Sequence, residues 1–349
     1  MEMKADMKME MERTTPTTLV FLPAPTVGHV LATFELCLRL LDLKPDIDIH
    51  VLLITFPLFL SNDSQIHSLL ANQPRLRISK LPIVEPPADN PQKSPDKHFA
   101  ECILSNINNV RKSISDIVAE SAFHGFRIAG VVMDFFTVSM VDVAHEFSLS
   151  PFVFLTSNAG ALRFMLFSAT TKGEEGSSPF NLTDPDCNIP GFRNPVPVNV
   201  LPSSCFNKEG GFTAMLNVAM RIKDVKGVMV NTFEELEEFS LKSRSGGKSP
   251  NICAVGPVIS FKGITTSNKE DSKVMEWLDE QPDASVVFIC FGSFGGGGLI
   301  TECQIKEIAK GLEQSKQAFL WQMCIPLKDG KMAETVLPLG FKERTKGRG

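Results

Sequence analysis

The amino-acid sequence predicts an α/β protein built on a doubly wound parallel sheet. Short apolar runs alternate along the chain with longer segments that have helical periodicity. Several of the short runs, such as PFVFL and SVVFICF, are apolar on both faces, as expected for strands covered by helices on both sides. Strand-helix alternation of this kind favours a doubly wound fold.

The individual elements follow from these runs and periods. The predicted strands are 17–22, 47–55, 76–81, 129–133, 151–155, 227–230, 252–255, 285–291 and 318–323. The predicted helices are 29–43, 97–122, 137–148, 211–225 and 301–315, with a further helix around VMEWLDEQ. Residues 170–210 are rich in Pro, Gly, Asn and Ser and are predicted to form a long irregular loop.

The order of these elements indicates two domains. Residues 1–16 are Met-rich and charged and are predicted to be a disordered tail. Residues 17–255 form one Rossmann-like domain, and 256–271 form a linker. The strand-helix pattern then restarts, so residues 272–349 are interpreted as part of a second Rossmann-like domain that is shorter than a usual domain.

Composition excludes several classes of protein. The 349 residues carry a net charge of −5 without a basic stripe, which argues against nucleic-acid binding. No apolar run approaches the roughly 20 residues of a membrane span, and the N-terminus lacks the apolar region of a secretory signal. The eight cysteines are widely spaced, and most lie in apolar runs, as in reduced intracellular proteins. We therefore expect a cytoplasmic monomer.

A histidine and an aspartate follow two of the predicted strands. His29 comes after strand 17–22 by way of the short loop PAPTVG, and Asp134 directly follows strand 129–133. Ligands of open parallel sheets bind beyond the carboxyl ends of the strands, so both side chains are expected at the same rim. A carboxylate there could orient the imidazole and leave its other nitrogen free to accept a proton. A packed histidine and an aspartate helix cap remain the alternatives.

A glycine-rich loop is the second candidate site. GSFGGGG, residues 292–298, lies between a strand and a helix, where backbone N–H groups favour phosphate and Ser293 could add a hydroxyl. A flexible turn is the equal alternative. The loop lacks the G-x-G-x-x-G fingerprint, which disfavours a dinucleotide oxidoreductase. Neither Gly246-Gly-Lys-Ser249 nor Asp184-Pro-Asp-Cys-Asn188 completes its P-loop or calcium-loop pattern, so no metal site is predicted.

A series of motifs in order resembles one family. FLPAPTVGH, VVMDFFTVSMVDVAHEF, PFVFLTSNAG, KGVMVNTFEELE, WLDEQPDASVVFICFGS and LPLGFKERTKGRG run from about residue 17 to the end. Together they resemble the plant UDP-dependent glycosyltransferases of the GT-B fold, in the branch that acts on phenolic and flavonoid acceptors. The resemblance implies inverting transfer of a sugar, with glucose expected, from a UDP-sugar co-substrate to a phenolic hydroxyl without a metal or cofactor.

The resemblance also assigns roles to residues. His29 matches the family's general base, and Asp134 matches the carboxylate that supports it. Thr156 matches a residue at the sugar end of the donor pocket, and Ser293 matches one near the donor phosphates. Gly28, next to the catalytic histidine, is assigned to the donor site as well.

The sequence departs from the family pattern in three places. One is the run FGGGG at 294–298, which is more glycine-rich than usual and predicts a looser phosphate loop. Thr26 replaces a common glycine and is expected to crowd the loop before His29. The family's donor-binding box, with its W-A-P-Q start and H-C-G-W-N-S centre, is absent after ERTKGRG. Without the contacts of that box a UDP-sugar loses much of its binding energy, so residues 1–349 alone are expected to be inactive or nearly so. The alternative is a catalytically silent protein that binds small molecules, and UDP binding would distinguish the two.

Overall fold

The computed structural model describes residues 16–55, 73–87, 93–173, 178–243, 250–259, 269–291, 300–323 and 333–348. The chain divides into two compact units, Met1–Ser260 and Phe261–Gly349, with a boundary that lies inside the predicted linker 256–271. Most of that linker, and the predicted tail apart from Pro16, lie outside the described residues.

The first unit is built on a seven-stranded parallel sheet in the order β3-β2-β1-β4-β5-β6-β7. Its strands are β1 (Thr17–Leu22), β2 (Ile47–Leu53), β3 (Leu76–Lys80), β4 (Arg127–Asp134), β5 (Pro151–Leu155), β6 (Gly227–Val230) and β7 (Asn251–Ala254). The strand order reverses between β1 and β4. This is the topological switch point at which doubly wound folds bind their ligands. The predicted fold class is confirmed.

Helices connect the strands and cover the sheet. They are α1 (Val27–Leu43), α2 (Pro95–Leu104), α3 (Ile107–His124), α4 (Val141–Glu146), α5 (Ala159–Thr171), α6 (Gly211–Arg221) and α7 (Glu234–Lys242). Short 3-10 turns add Thr137–Met140, Val198–Val200, Ser203–Phe206 and Ile222–Asp224. Between Ser178 and Gly210 the described chain is otherwise irregular, in line with the loop predicted for 170–210, although α5 extends into its first two residues.

Alternate residues of each strand enter different cores, which explains why the strand sequences are apolar throughout. On β1, Val20 and Leu22 pack into one hydrophobic cluster, whereas Phe21 packs into the other, against Phe34 of α1. Phe21 and Phe34 are both almost fully buried, and burial of such a side chain contributes about 1.5–3 kcal/mol. A sheet covered on both faces therefore needs no alternation of polar and apolar residues.

The prediction of helices was less accurate than that of strands. The predicted helix 97–122 is two helices, because Asn106 interrupts it: its side-chain amide donates to the carbonyl of Cys102 at 3.0 Å. Asparagine competes with the backbone for hydrogen bonds in this way and favours helix ends. Helices α5 and α7 were not predicted. α5 is buried over much of its surface and lacks the polar stripe that makes a helix visible in a sequence.

The second unit contains a two-stranded parallel sheet among its described residues. It comprises α8 (Lys269–Asp279), β8 (Val286–Ile289), α9 (Glu302–Ser315), β9 (Ala318–Trp321) and α10 (Phe341–Arg344), with a 3-10 turn at Ala333–Val336. The Thr301 hydroxyl and the Gln304 side chain form a capping box that starts α9. On β8, Phe288 remains 66% exposed.

The described structure shows where the cysteines lie and whether any helix could cross a membrane. Cys37, Cys102, Cys187 and Cys205 are free and buried, as predicted for most cysteines, whereas the other three described cysteines, Cys253, Cys290 and Cys303, are free and exposed. Within the described ranges, no helix is both long enough and apolar enough to span a bilayer.

Burial of His50 makes the stability of the first unit depend on pH. His50 lies on β2 with Nε2 2.8 Å from the Ser79 hydroxyl, and burial, together with the charge of Arg77, lowers the pKa of His50 to about 4. In the unfolded chain, His50 has the ordinary histidine pKa of about 6.5. Between the two pKa values it is therefore protonated in the unfolded chain but not in the folded chain. The free energy of unfolding should therefore fall by about 2 kcal/mol between pH 6.5 and pH 4.

Urea unfolding of the wild type and His50→Gln across this pH range measures the effect. Between pH 6.5 and pH 4 the free energy of unfolding of the variant should fall by about 2 kcal/mol less than that of the wild type, because glutamine does not titrate. His124→Gln, at the exposed C-terminal end of α3, is the control and should follow the wild type. Identical pH profiles for wild type and His50→Gln would contradict the assignment.

Candidate active site

The structure brings His29 and Asp134 into direct contact. His29 is the third residue of α1, which follows β1, and Asp134 is the last residue of β4. Because β1 pairs with β4 in register up to Leu22 and Met133, the chain leaves both strands at the same edge of the sheet. The His29 Nδ1 atom lies 2.7 Å from Asp134 Oδ2, across 105 residues of sequence.

Hydrogen bonds to Asp134 hold the carboxylate in place. Asp134 is 2% exposed, and its Oδ1 accepts the backbone N–H of Phe136 at 2.9 Å. The Thr137 hydroxyl lies 2.7 Å from the Leu22 carbonyl and 3.1 Å from the Asp134 carbonyl, which joins the ends of β1 and β4. This arrangement orients the carboxylate towards the imidazole before any ligand arrives.

The contact with Asp134 determines which imidazole nitrogen can react. A hydrogen bond from the imidazole to an ionised carboxylate, which only accepts, would place the hydrogen on His29 Nδ1 and leave the lone pair on Nε2. The His29 side chain is 21% exposed, whereas that of Asp134 is fully buried. The imidazole, which holds the proton-accepting nitrogen, is therefore partly accessible, whereas the carboxylate beside it is sealed from solvent.

The three other predicted site residues lie in different places relative to His29 or to the described part of the chain. Thr156 follows β5, and its hydroxyl oxygen lies 3.2 Å from His29 Nδ1, so the structure places it beside the imidazole. Gly28 precedes His29 in the first turn of α1, where an added Cβ would meet nothing within 4 Å. Ser293 and the rest of the segment 292–299 lie outside the described residues.

A cavity of about 630 Å³ lies next to the pair, lined mainly by apolar side chains from α2, α5, α6 and the irregular segment between Ile189 and Ser204. Phe135 and Phe136 line it, and their ring centroids each lie 5.5 Å from that of His29. His29 and the cavity therefore share an aromatic wall. Its size is within the range of small-molecule sites.

Sequence reasoning missed this cavity and the residues that shape it. The one available signal was the aromatic pair Phe135-Phe136 directly after a strand that ends in aspartate. The wall formed by Ile189 to Ser204 lies in a segment predicted only to be irregular. Its position depends on contacts with α5 and α7, neither of which was predicted.

A buried arginine joins the two helices that this wall packs against. Arg163 of α5 is 3% exposed and donates to the carbonyls of Ser240 at 2.6 Å and Leu241 at 3.2 Å, at the C-terminal end of α7. Burial lowers the pKa of the Arg163 guanidinium, while the carbonyls stabilise its charge. The Ser240 hydroxyl donates to the Gly191 carbonyl at 2.8 Å. Gly191 has φ +102°, and an added Cβ would lie 2.8 Å from Arg163 Cγ.

The fold and the site define a class of protein. A doubly wound parallel sheet holds an imidazole–carboxylate pair at its switch point, beside a largely apolar cavity. In the described part of the chain, no three His, Cys, Asp or Glu side chains are grouped to hold a metal ion. The chain is therefore an α/β protein whose site can bind a small apolar molecule next to a proton acceptor.

Comparisons with known proteins narrow this class, although no family model matches the chain. UDP-glycosyltransferase 71K1 of Malus domestica is 40% identical over 349 residues, covering 95% of this chain and 71% of that protein. Flavonol 3-O-glucosyltransferase UGT71C4 of Arabidopsis thaliana is 36% identical, with coverages of 95% and 71%. The crystal structure of Medicago truncatula UGT71G1 complexed with UDP-glucose superposes with a TM-score of 0.83 at 39% identity, covering 95% and 69%.

These similarities establish the family. The chain belongs to the plant UDP-glycosyltransferases, whose members use a UDP-sugar as co-substrate, and its parallel sheet matches the GT-B fold of the solved structures. The resemblance found in the sequence is confirmed.

Thr26, the N-cap residue of α1, carries a buried hydroxyl whose removal should stabilise the protein. Thr26 is 3% exposed, its φ of −126° is open to any residue, and its Oγ1 has no hydrogen-bond partner among the described residues. Burial of an unpaired hydroxyl costs about 1–3 kcal/mol. Thr26→Val keeps the branched shape without the hydroxyl, so we expect its free energy of unfolding to rise by about 1 kcal/mol.

Thr137→Val is the matched control, because the Thr137 hydroxyl is equally buried but hydrogen-bonded to two carbonyls. The free energy of unfolding of Thr137→Val should fall by about 1–3 kcal/mol, because the two carbonyls lose their hydrogen-bond partner. Chemical denaturation of both variants at constant pH gives the comparison. A Thr26→Val protein as destabilised as Thr137→Val would show that the Thr26 hydroxyl has a partner after all.

Proposed function

We propose that the reaction to which this chain's site belongs is transfer of a glucosyl group from UDP-glucose to a hydroxyl of a small phenolic acceptor such as a flavonoid, with inversion at the anomeric carbon. Residues 1–349 alone are expected to carry out this reaction weakly or not at all. The observation that carries the proposal is the His29–Asp134 pair, which shares the wall of Phe135 and Phe136 with an apolar cavity. The names of the relatives support the choice of donor and acceptor, since one is a flavonol 3-O-glucosyltransferase and a solved relative contains UDP-glucose.

In the proposed reaction, His29 acts as the general base. Its Nε2 takes the proton of the acceptor hydroxyl while the hydroxyl oxygen forms a bond to the anomeric carbon. The bond from that carbon to the phosphate oxygen breaks on the opposite side, and UDP leaves with its electron pair. Asp134 stabilises the imidazolium that results, from a distance of 2.7 Å. The phenolic proton has an ordinary pKa near 10, so the base needs to supply only moderate assistance.

The cavity suits the acceptor. Phe135, Phe136, Phe164 and Phe192 line it, and such rings pack against planar aromatic ligands by offset stacking or edge-to-face contact. The ring of a bound phenol would lie among these side chains with its hydroxyl directed towards His29. Orientation of this kind is itself a large part of catalysis, because it replaces a bimolecular encounter with a positioned one.

We assign the donor to the N-terminal end of α1. That end has no acidic residue in its first turn, and the Thr26 side chain forms no capping hydrogen bond within the described structure. The N–H groups of a first turn attract phosphate oxygens, and at Gly28 no side chain obstructs the approach. Thr156, beside His29, would then contact the sugar. The role of Ser293 near the donor phosphates stays a prediction, because this residue lies outside the described ranges.

A donor-independent experiment tests the proposed base on residues 1–349. A chromogenic phenol that ionises near neutral pH, 4-nitrophenol, changes its visible absorption when it loses its proton. Bound beside His29, its apparent pKa should fall by about one unit, because the imidazole can take the proton and the imidazolium, stabilised by Asp134, is an opposite charge next to the phenolate. His29→Ala should abolish this fall, and Asp134→Asn should reduce it.

His145→Ala, at an exposed position of α4, serves as the control and should leave the spectrum of the bound phenol unchanged. Equal ionisation of the phenol by wild type and His29→Ala would contradict the role of His29. Binding of 4-nitrophenol without any spectral change would do the same.

Transfer is measured as glucoside and UDP formed from UDP-glucose and a flavonol. The expectation that residues 1–349 alone release little UDP stays a prediction, and this assay checks it. Any transfer that is detected should fall by roughly 10²–10⁴-fold in His29→Ala, the usual contribution of a general base. Flavonol binding without UDP binding, measured by calorimetry, would favour the silent binding protein instead.

A further inference from the structure

A carboxylate of the protein occupies the start of α5, at the wall of the cavity. Glu237 departs from helical geometry inside α7, with φ −131° and ψ 36°, and its side chain reaches α5. Its Oε2 accepts the N–H of Ala159 at 2.8 Å, and its Oε1 accepts that of Gly160 at 3.0 Å. The next N–H group, of Ala161, donates to the Asn158 side chain at 2.7 Å.

These hydrogen bonds use the donors that a helix start would otherwise offer to an anion. The first N–H groups of a helix have no partners within it, and together with the helix dipole they bind carboxylates and phosphates. Asn158, Gly160 and Glu237 all line the cavity. An acceptor carboxylate that entered the cavity would therefore find this anion site already filled by Glu237.

The remaining charge on the cavity wall has the same sign. Among the described residues that line the cavity, Asp96 and Glu237 are the charged ones, and lysine, arginine and histidine are not represented. The guanidinium of Arg163, on the same helix, donates to the carbonyls of Ser240 and Leu241. The wall therefore offers a bound anion no cationic partner, and apolar surroundings leave the repulsion poorly screened.

We propose that Glu237 is a specificity-determining residue that excludes acceptors bearing a carboxylate and selects neutral phenols. The inference rests on the proposed function, because it assumes that the cavity holds the acceptor. Two unit charges about 8 Å apart at an effective dielectric constant of about 20 repel each other enough to change a binding constant by about tenfold or more. The hydrogen bonds to α5 offset part of this field, so we expect discrimination of about tenfold.

The experiment compares two ligands of nearly the same shape, 4-hydroxycinnamic acid and 4-hydroxycinnamamide. At pH 7 the first carries a carboxylate and the second is neutral. Calorimetry with residues 1–349 measures both affinities without a donor. The wild type should bind the amide about tenfold more tightly than the acid, and Glu237→Gln should reduce this ratio to about threefold or less.

Glu235→Gln is the matched control, because Glu235 is an exposed acid of the same helix and does not line the cavity. It should keep the wild-type ratio. A merely structural defect in Glu237→Gln would weaken the two ligands together, whereas the proposed role changes their ratio. Asp96→Asn leaves the cap of α5 intact, so discrimination retained in that variant supports Glu237 even if Glu237→Gln fails to fold.

Several outcomes overturn the inference. The wild type could bind acid and amide equally, Glu237→Gln could keep the full ratio, or Asp96→Asn alone could abolish it. Failure of the wild type to bind the amide at all is a different result. It would refute the proposed acceptor cavity itself and, with it, the inference.

Discussion

The pairing of β1 with β4 is the constraint on which the site depends. Parallel strands that are neighbours end at the same edge of a sheet, so the segments after Leu22 and Met133 emerge side by side. The hydrogen bond between His29 and Asp134 is possible only because of this pairing. The Thr137 hydroxyl strengthens the same junction, since it lies within hydrogen-bonding distance of carbonyls at the ends of both strands. Any displacement of β1 against β4 would separate the imidazole from its carboxylate.

The cavity depends on a second kind of interaction, between irregular chain and helix ends. The segment from Ile189 to Ser204 contributes part of the wall, and its backbone hydrogen bonds are those of short turns and of a single bridge between Val196 and Cys187. The Ser240 hydroxyl bonds it to α7, and Arg163 of α5 bonds in turn to the end of α7. Gly191 lies so close to Arg163 that a larger residue would have no room there. A buried guanidinium is costly to desolvate, but the carbonyls at the end of α7 provide partners for it. Side-chain contacts with two helices thus fix the position of this irregular part of the cavity wall.

Two helix starts near the site have opposite chemistry. The start of α1 has neither an acidic residue in its first turn nor a capping side chain in the described structure. The start of α5 is capped by Glu237 and Asn158. The first can receive a phosphate, whereas the second already holds a carboxylate. Under the proposed function, this difference would separate a region for an anionic donor from a region for a neutral acceptor at the same edge of the sheet.

The sequence by itself determined the fold class, most strand positions and the two residues at the switch point. Runs that are apolar on both faces identify covered strands, and position directly after a strand identifies His29 and Asp134 as neighbours at one rim. The tertiary structure alone decided the rest. Glu237 contacts Ala159 across 78 residues of sequence. Phe135 lines a cavity whose other walls come from distant segments of the chain. Such contacts depend on the side-chain packing of distant segments, on which local periodicity carries no information.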